Sequence, residues 1–197
     1  MESASVSCAA TESNPPVEEW RAVPGYEGYY EVSNLGRVRS LNRVIRLRDG
    51  RPKTLKGIIM KPWFSGGQGE HPCVAISKED KVLTAGIYRL VYMAFIGHIP
   101  DGMEVDHKDR DRSNNCYDNL RLATRSQNAA NSTKKRTNTS GYKGVSKSKS
   151  KVKTRWYAGI EVMGKYHYLG TFDTPQEASA AYRAAAIQHF GSFACLD

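Results

Sequence analysis

The sequence predicts an α+β protein assembled from small modules rather than around one large core. Three observations carry that expectation. Short strand-like runs separated by Gly- and Asn-rich turns fill residues 17–87. An acidic loop between two strands, followed by a polar helix, occupies 88–132. A strictly alternating segment followed by an Ala-rich helix occupies 141–197. The organisation is therefore a leader at 1–16, an N-terminal β-rich module at 17–87, a core at 88–132, a basic linker at 133–140 and a C-terminal domain at 141–197. In that last domain a three-stranded antiparallel sheet packs on one helix. A length of 197 residues, 40% of them apolar, fits such an arrangement.

The first 16 residues, MESASVSCAATESNPP, lack a basic start followed by an apolar run, so they read as a disordered leader and not as a secretory signal. In the N-terminal module, Tyr30-Glu31-Val32 and Arg37-Val38-Arg39 flank Ser33-Asn34-Leu35-Gly36, a hairpin turn. Arg37 and Arg39 share one face while Val38 takes the other. Further strand-like pieces fall at 57–60, 73–77 and 81–85, around the Gly-rich stretch SGGQGEHP, and the apolar run at 87–96 reads as a short helix. Arg37, Arg39, Arg43, Arg46 and Arg48 are candidate phosphate contacts, although solvated arginines on a small sheet fit equally well.

In the core, Glu104-Val105-Asp106 ends a strand, 119–124 alternates as a second strand, and 125–132 is polar and helix-capable. In the C-terminal domain Trp156, Ala158, Ile160 and Val162 fall on one face, and Arg155, Tyr157, Gly159 and Glu161 on the other. A second strand, 165–172, follows the Met163-Gly164 turn. Thr174-Pro175-Gln176-Glu177 is a capping box with Pro at the first helical position, and the helix runs to about Phe190 before Gly191.

Charge narrows the partners. Lys and Arg number 29 against 20 Asp and Glu, a formal net charge of +9, so a polyanion is the expected partner and nucleic acid the first candidate. The excess concentrates between Thr133 and Arg155, where nine basic residues meet no acid. That stretch, with Lys134, Lys135, Arg136, Lys143 and Lys147, reads as flexible chain suited to phosphate contact; a solvated hinge is the plain alternative. No window of about 18 consecutive apolar residues exists, so no membrane helix is expected. Cys8, Cys73, Cys116 and Cys195 are widely spaced with no C-x-x-C pair, which argues against a zinc knuckle or a disulfide scaffold and fits a reducing compartment. By contrast, Asp101–Asp118 carries six acids, a repulsive feature beside a polyanion unless a divalent metal offsets it.

The constellation that matters is Asp106-His107, then Asn119 and Asn128. Phosphodiester hydrolysis needs a water nucleophile, a base for its proton and a cation for the charge on the phosphate. Histidine titrates near working pH, and a hard cation takes carboxylate and amide oxygens. Adjacent strand residues point to opposite faces, so Asp106 and His107 converge only at a strand end or bulge, which the Lys108–Asp111 loop provides. Taken singly, each of these residues also fits an Asx-capped turn.

The pattern DH…NN…DNL…TRSQN over 105–132 resembles the HNH, or ββα-metal, nuclease family, with Asn in place of the last His. The resemblance implies His107 as general base and Asp106 and Asn128 as ligands of a divalent metal, Mg²⁺ first and Mn²⁺ second. It also implies Asn119 as the residue that ties the His loop in place. Asp118 and Asn114 then read as loop residues, Cys116 departs from the family's basic or bulky residue, and His71, His98, His167 and His189 read as structural. The segment GYKGV…RWYAGI…YLGTFDT…EASAAY…GSFACLD resembles the plant APETALA/ethylene-response-factor DNA-binding domain, which lays its sheet in the major groove. This implies a DNA face of Lys143, Lys147, Arg155, Tyr157, Tyr166 and Tyr168. Ser146, Gly159 and Glu161 stand where plant members carry charged base readers, so their target does not transfer. EEW, PGYEGYYEVSNLGRVRSL and RLVYMAF resemble the N-terminal modules of phage and intron-borne HNH nucleases.

Together these resemblances imply a phage-type HNH homing endonuclease. It would hydrolyse double-stranded DNA to 3′-hydroxyl and 5′-phosphate ends, as a monomer or homodimer with no membrane partner, in the cytoplasm of a phage-infected host. The alternative reading is a DNA-binding transcriptional regulator with an inactive nuclease core. An RNA-directed protein is a third, kept open by the tyrosine-rich sheet.

Overall fold

A computed structural model describes residues 17–64, 71–148 and 153–196. The leader at 1–16, most of the Gly-rich stretch and Lys149 and Lys151 of the basic run lie outside the described residues. The described chain divides into two compact units. One holds the described residues of Met1–Asp101 with Val105–Leu122; the other holds Gly102–Glu104 with the described residues of Ala123–Asp197. This division differs from the expected segments, because the short helix at 125–131 belongs with the C-terminal domain.

The first unit opens with an antiparallel sheet of β1 (Trp20–Ala22), β2 (Tyr30–Ser33) and β3 (Val38–Ser40) in that order. Val32 pairs with Val38 and both are buried, while Glu31 pairs with Arg39 towards solvent. The turn between β2 and β3 uses Gly36 at φ +85°, a left-handed conformation that glycine adopts without penalty. A hairpin of β4 (Arg43–Arg46) and β5 (Pro52–Leu55) follows, which the sequence pattern does not announce because it is exposed along most of its length. The strand expected at 57–60 is only a single bridge between Arg39 and Ile59. Side chains take two of its backbone donors: Asn42 accepts from the Gly57 amide at 2.8 Å and Ser40 from the Ile58 amide at 3.1 Å, while the Met60 amide donates to the Val38 carbonyl at 2.8 Å.

A meander of β6 (Trp63–Phe64), β7 (Pro72–Lys78) and β8 (Lys81–Gly86) then leads into α1 (Ile87–Phe95). Glu79 and Asp80 both adopt positive φ, the backbone twist that a two-residue hairpin turn requires. Ile87, Leu90 and Val91 of α1 recur at helical spacing and pack with Val23, Val32, Val38, Val74 and Ile76 into one core. β9 (Met103–His107) and β10 (Leu120–Thr124) form a two-stranded sheet whose connecting loop includes a 3₁₀ turn at Tyr117–Asn119. Among the described residues Cys73 and Cys195 are free thiols.

In the second unit, α2 (Arg125–Asn131) starts at a capping box in which Thr124 accepts from the Gln127 amide and the Gln127 side chain accepts from the Thr124 amide. β11 (Val145–Lys147), β12 (Trp156–Val162) and β13 (Lys165–Phe172) form an antiparallel sheet in that order. α3 (Pro175–Phe190) begins at the expected capping box of Thr174 and Glu177. It lays Ala178, Tyr182, Ala185, Ala186 and Phe190 against the sheet. Ala130 of α2 joins that core, and the Cys195 amide donates to the Ala130 carbonyl at 3.1 Å. This packing is why α2 groups with the C-terminal domain.

Candidate active site

His107 is the last residue of β9, as the strand-end argument requires, and both Asp106 and His107 are buried. The loop that follows is held by its own polar side chains. Asn119 accepts from the Asp109 amide at 3.1 Å, and its amide nitrogen donates to the Asp109 carboxylate at 2.9 Å and to the Asn114 carbonyl at 2.8 Å. The Lys108 amide donates to the Asn119 carbonyl at 2.8 Å. Asn119 thus laces both ends of the loop together.

Burial is the main influence on His107 and pushes its pKa below the ordinary histidine value, while its hydrogen bond to Asn115 and the Asp109 and Asp106 carboxylates oppose that shift. Its Nε2 lies 3.2 Å from Asn115 Oδ1, a contact in which both residues are buried. Its ring faces His71, with centroids 5.3 Å apart, and Tyr88 at 5.5 Å. His71 in turn packs against Tyr88, with ring centroids 4.4 Å apart and the planes tilted by 35°. The Nδ1 atom of His71 is buried and makes no hydrogen bond among the described residues. Burial first, then the His107 and Arg112 charges, drive its pKa down to about 4, so it stays neutral at neutral pH. Nothing in the sequence distinguishes Asn115 within its Asn pair or His71 after a Gly-rich stretch. Their roles come from tertiary contacts alone.

Asp106 pairs with the Arg121 guanidinium at 2.9 Å, and both side chains are largely buried. In the second unit, Asn128 Nδ2 donates to Glu104 at 2.5 Å, which leaves Oδ1 as the amide atom suited to coordination. A carboxylate and an amide oxygen are hard donors that fit Mg²⁺. No cluster of three or more His, Cys, Asp and Glu residues suited to a metal occurs among the described residues.

The candidate DNA contacts are placed more unevenly. Arg37 pairs with Glu18, and Arg39 with Glu31 at 2.7 Å; both guanidinia also flank the Trp20 ring. Lys134, Lys135 and Arg136 are exposed. Lys143 instead points its ammonium at α2, donating to the carbonyls of Ala130 at 2.6 Å and of Ser132. That is a C-terminal cap on a helix. Lys147 sits opposite Trp156 in register, so alternation assigns it to the face away from Tyr157, and Ser146 takes the place opposite Tyr157. Arg155 is paired with Asp173 at 3.0 Å. Tyr157, Tyr166 and Tyr168 share the open face of the sheet, with Tyr166 and Tyr168 69% and 60% exposed. A Cβ at Gly159 would fall on the Tyr166 phenol, so this glycine makes room for the ring to lie across the sheet. Lys134, Lys135, Lys143 and Tyr166 line one open groove of about 940 Å³.

A β-hairpin with a laced loop and Asp-His at its strand end, followed in sequence by a short helix, is the pattern of an HNH-type nuclease segment. Residues 86–130 match the HNH endonuclease family and residues 18–65 match the NUMOD4 motif. DNA endonuclease I-HmuI of Bacillus phage SP01 is 35% identical over 113 residues, 57% of this chain and 56% of that protein. Protein 3.8 of Escherichia phage T7 is 36% identical over 104 residues, 53% of this chain and 84% of that protein. Uncharacterized HNH endonuclease L560 of Acanthamoeba polyphaga mimivirus is 34% identical over 133 residues, 67% of this chain and 64% of that protein. A solved structure described as DNA binding and cleavage by the HNH homing endonuclease I-HmuI is 34% identical over 57% of this chain and 56% of that one, with a TM-score of 0.42. The chain therefore belongs to the phage HNH endonuclease family, with a NUMOD4 motif ahead of its HNH segment. It spans just over half the length of I-HmuI.

Proposed function

We propose that this protein is a site-specific, homing-type endonuclease that hydrolyses double-stranded DNA with a divalent metal. The observation that carries the reading is His107, buried and oriented at the end of β9 beside Asp106, within a loop laced by Asn119. Asp106 and Asn128 would hold the ion, Mg²⁺ or Mn²⁺. When bound, it supplies positive charge for the phosphate and for the leaving oxygen.

The chain's own groups do the rest. His107 takes the proton of a water as its oxygen attacks the phosphorus, a task that suits an imidazole kept neutral by burial. The new P–O bond forms as the bond to the 3′ oxygen breaks. The products are a 5′-phosphate and a 3′-hydroxyl, whose proton comes from solvent. Arg121 balances Asp106 within the fold. Lys134, Lys135 and Arg136 serve as phosphate contacts that set position, and the Tyr157, Tyr166 and Tyr168 face with Arg155 serves as the sequence reader of an APETALA-like domain. The pairing of Arg37 and Arg39 with carboxylates supports a lesser part in phosphate binding for them.

The test is to incubate the purified protein with Mg²⁺ and genomic DNA and to map new ends by sequencing, beside His107→Ala and a chelator. Discrete ends lost in both controls support the reading. Tight binding with no ends in any sample would refute it in favour of a DNA-binding regulator.

A further inference from the structure

We infer that Asn115 is a positioning residue for His107, and that the Ser33–Arg37 turn of the N-terminal module forms the wall that sets Asn115. This rests on the nuclease reading above and adds to it a residue and a structural coupling.

Hydrogen-bond accounting gives the first step. Asn115 Nδ2 donates to the Ser113 carbonyl at 3.1 Å, which turns Oδ1 towards the imidazole. An amide oxygen only accepts, so His107 Nε2 carries the hydrogen and Nδ1 is the ring's acceptor nitrogen. Asn115 therefore selects the tautomer, and the edge, with which His107 works as a base. A ring released from this bond would turn and exchange tautomers, and the basic nitrogen would spend less time in its place.

The second step concerns what holds Asn115. Gly36 sits at φ +85°, and a Cβ there would lie 2.8 Å from Asn115 Cβ and 3.3 Å from its carbonyl oxygen. Both the conformation and the space demand glycine at this position. Two residues beyond Asn115, the Tyr117 amide donates to the Asn34 carbonyl at 2.9 Å. Asn34 is itself buried; its side chain accepts from the Glu19 amide at 2.9 Å and donates to the Val17 carbonyl at 3.0 Å. The turn is thus pinned to the chain before β1 on one side and pressed against the loop carrying Asn115 on the other. The N-terminal module is part of the catalytic scaffold, beyond any help it gives in holding DNA.

The experiment uses the full chain on a duplex containing its mapped site, with kcat and KM measured for Asn115→Leu, Asn115→Asp, Gly36→Ala and Gly36→Asn. Asn tolerates positive φ, so Gly36→Asn keeps the turn while adding the clash. Asn115→Leu should lower kcat roughly 10–100-fold with little change in KM, and Asn115→Asp, which keeps an acceptor, should recover most of that loss. Both Gly36 variants should lower kcat while duplex affinity in chelator holds. Nitrogen-15 NMR of histidine-labelled protein, without DNA or metal, should show His107 protonated at Nε2 in the parent and exchange-averaged in Asn115→Leu.

An Asn115→Leu variant with parental kcat, an Asn115→Asp variant as slow as Asn115→Leu, or a parent protonated at Nδ1 would overturn the role of Asn115. Gly36→Asn acting on affinity alone would overturn the role of the turn. If the parent cleaves nothing, the nuclease reading fails, and the NMR tautomer still decides this one.

Discussion

Lowering the pH from about 7 to about 4 should weaken the first unit, and His71→Phe should remove a measurable share of that loss. His71 is half-buried between Tyr88 and His107, and burial with its neighbours' charges drives its pKa from the ordinary 6.5 down to about 4. In the unfolded chain the ring takes a proton near pH 6.5; in the folded chain it resists until about pH 4. Between these values the unfolded state holds more protons, so stability falls as the pH falls through the window. The full shift is worth up to about 3 kcal/mol at about 1.4 kcal/mol per unit. A half-buried ring is screened by solvent, which reduces the expected share to about 1–2 kcal/mol. Phenylalanine keeps a flat ring against Tyr88 and His107 but has no proton to gain. The assay is urea unfolding by tryptophan fluorescence at a series of pH values, parent against variant, with equal m-values required for the comparison. Parallel stability curves through the window would refute the assignment of that acid sensitivity to His71.

Three further outcomes can be checked directly. Asp106→Asn strands the Arg121 guanidinium beside a neutral partner and should cost about 3–5 kcal/mol, read as a lower melting temperature, with Asp106→Asn/Arg121→Met recovering part of it; an unchanged melt would mean the pair is no structural clamp. Thr174→Ala removes the capping box of α3 and should cost about 1 kcal/mol, which Thr174→Ser should largely restore, as chemical denaturation would show. Lys143→Met should lower the melting temperature and leave the salt dependence of DNA binding alone, whereas Lys134→Met and Lys135→Met should each reduce the logarithmic salt slope by about 1. The reverse pattern would make Lys143 a phosphate contact.

What was legible in the sequence follows from how local each signal is. β12 and α3 announce themselves because alternation and a capping box are written in consecutive residues. The strand-end position of Asp106 and His107 was legible because the polar Lys108–Asp111 stretch that ends β9 is written in consecutive residues. Lys143 reads as a phosphate contact because it stands in a basic run, whereas in the fold its ammonium reaches back to the end of α2. The sequence does not show the register of β11, which sets Ser146, not Lys147, opposite Tyr157. Arg37 and Arg39 look free in sequence, and only the folded sheet brings Glu18 and Glu31 to them. Asn115 stands in the NN of the family pattern with nothing local to set it apart from Asn114, and His71 carries no local mark, since each is defined by a neighbour that tertiary packing supplies.

The acidic loop shows the same lesson with a consequence for the metal. Read as charge alone, six acids between Asp101 and Asp118 demand a divalent ion. Folded, much of that charge is matched by donors within the loop. The Asp109 carboxylate accepts from the Asn114 and Asn119 side chains and from the Asp111 amide. Asp111 accepts from both the amide and the hydroxyl of Ser113, bonds that hold its pKa below the usual carboxylate range. Hydrogen bonds to the ionised form are what stabilise such carboxylates, so these acids build the loop's shape and need no cation to exist there. The proposed metal role then falls to the residues that the family resemblance names, Asp106 and Asn128, and not to the loop's acids. It makes a sharp distinction: Asp109→Asn and Asp111→Asn should loosen the loop and lower activity without changing the Mg²⁺ concentration for half-maximal cleavage, whereas Asn128→Ala should raise that concentration. A rise with Asp109→Asn as large as that with Asn128→Ala would return the acidic loop to the metal site and overturn the scaffold reading.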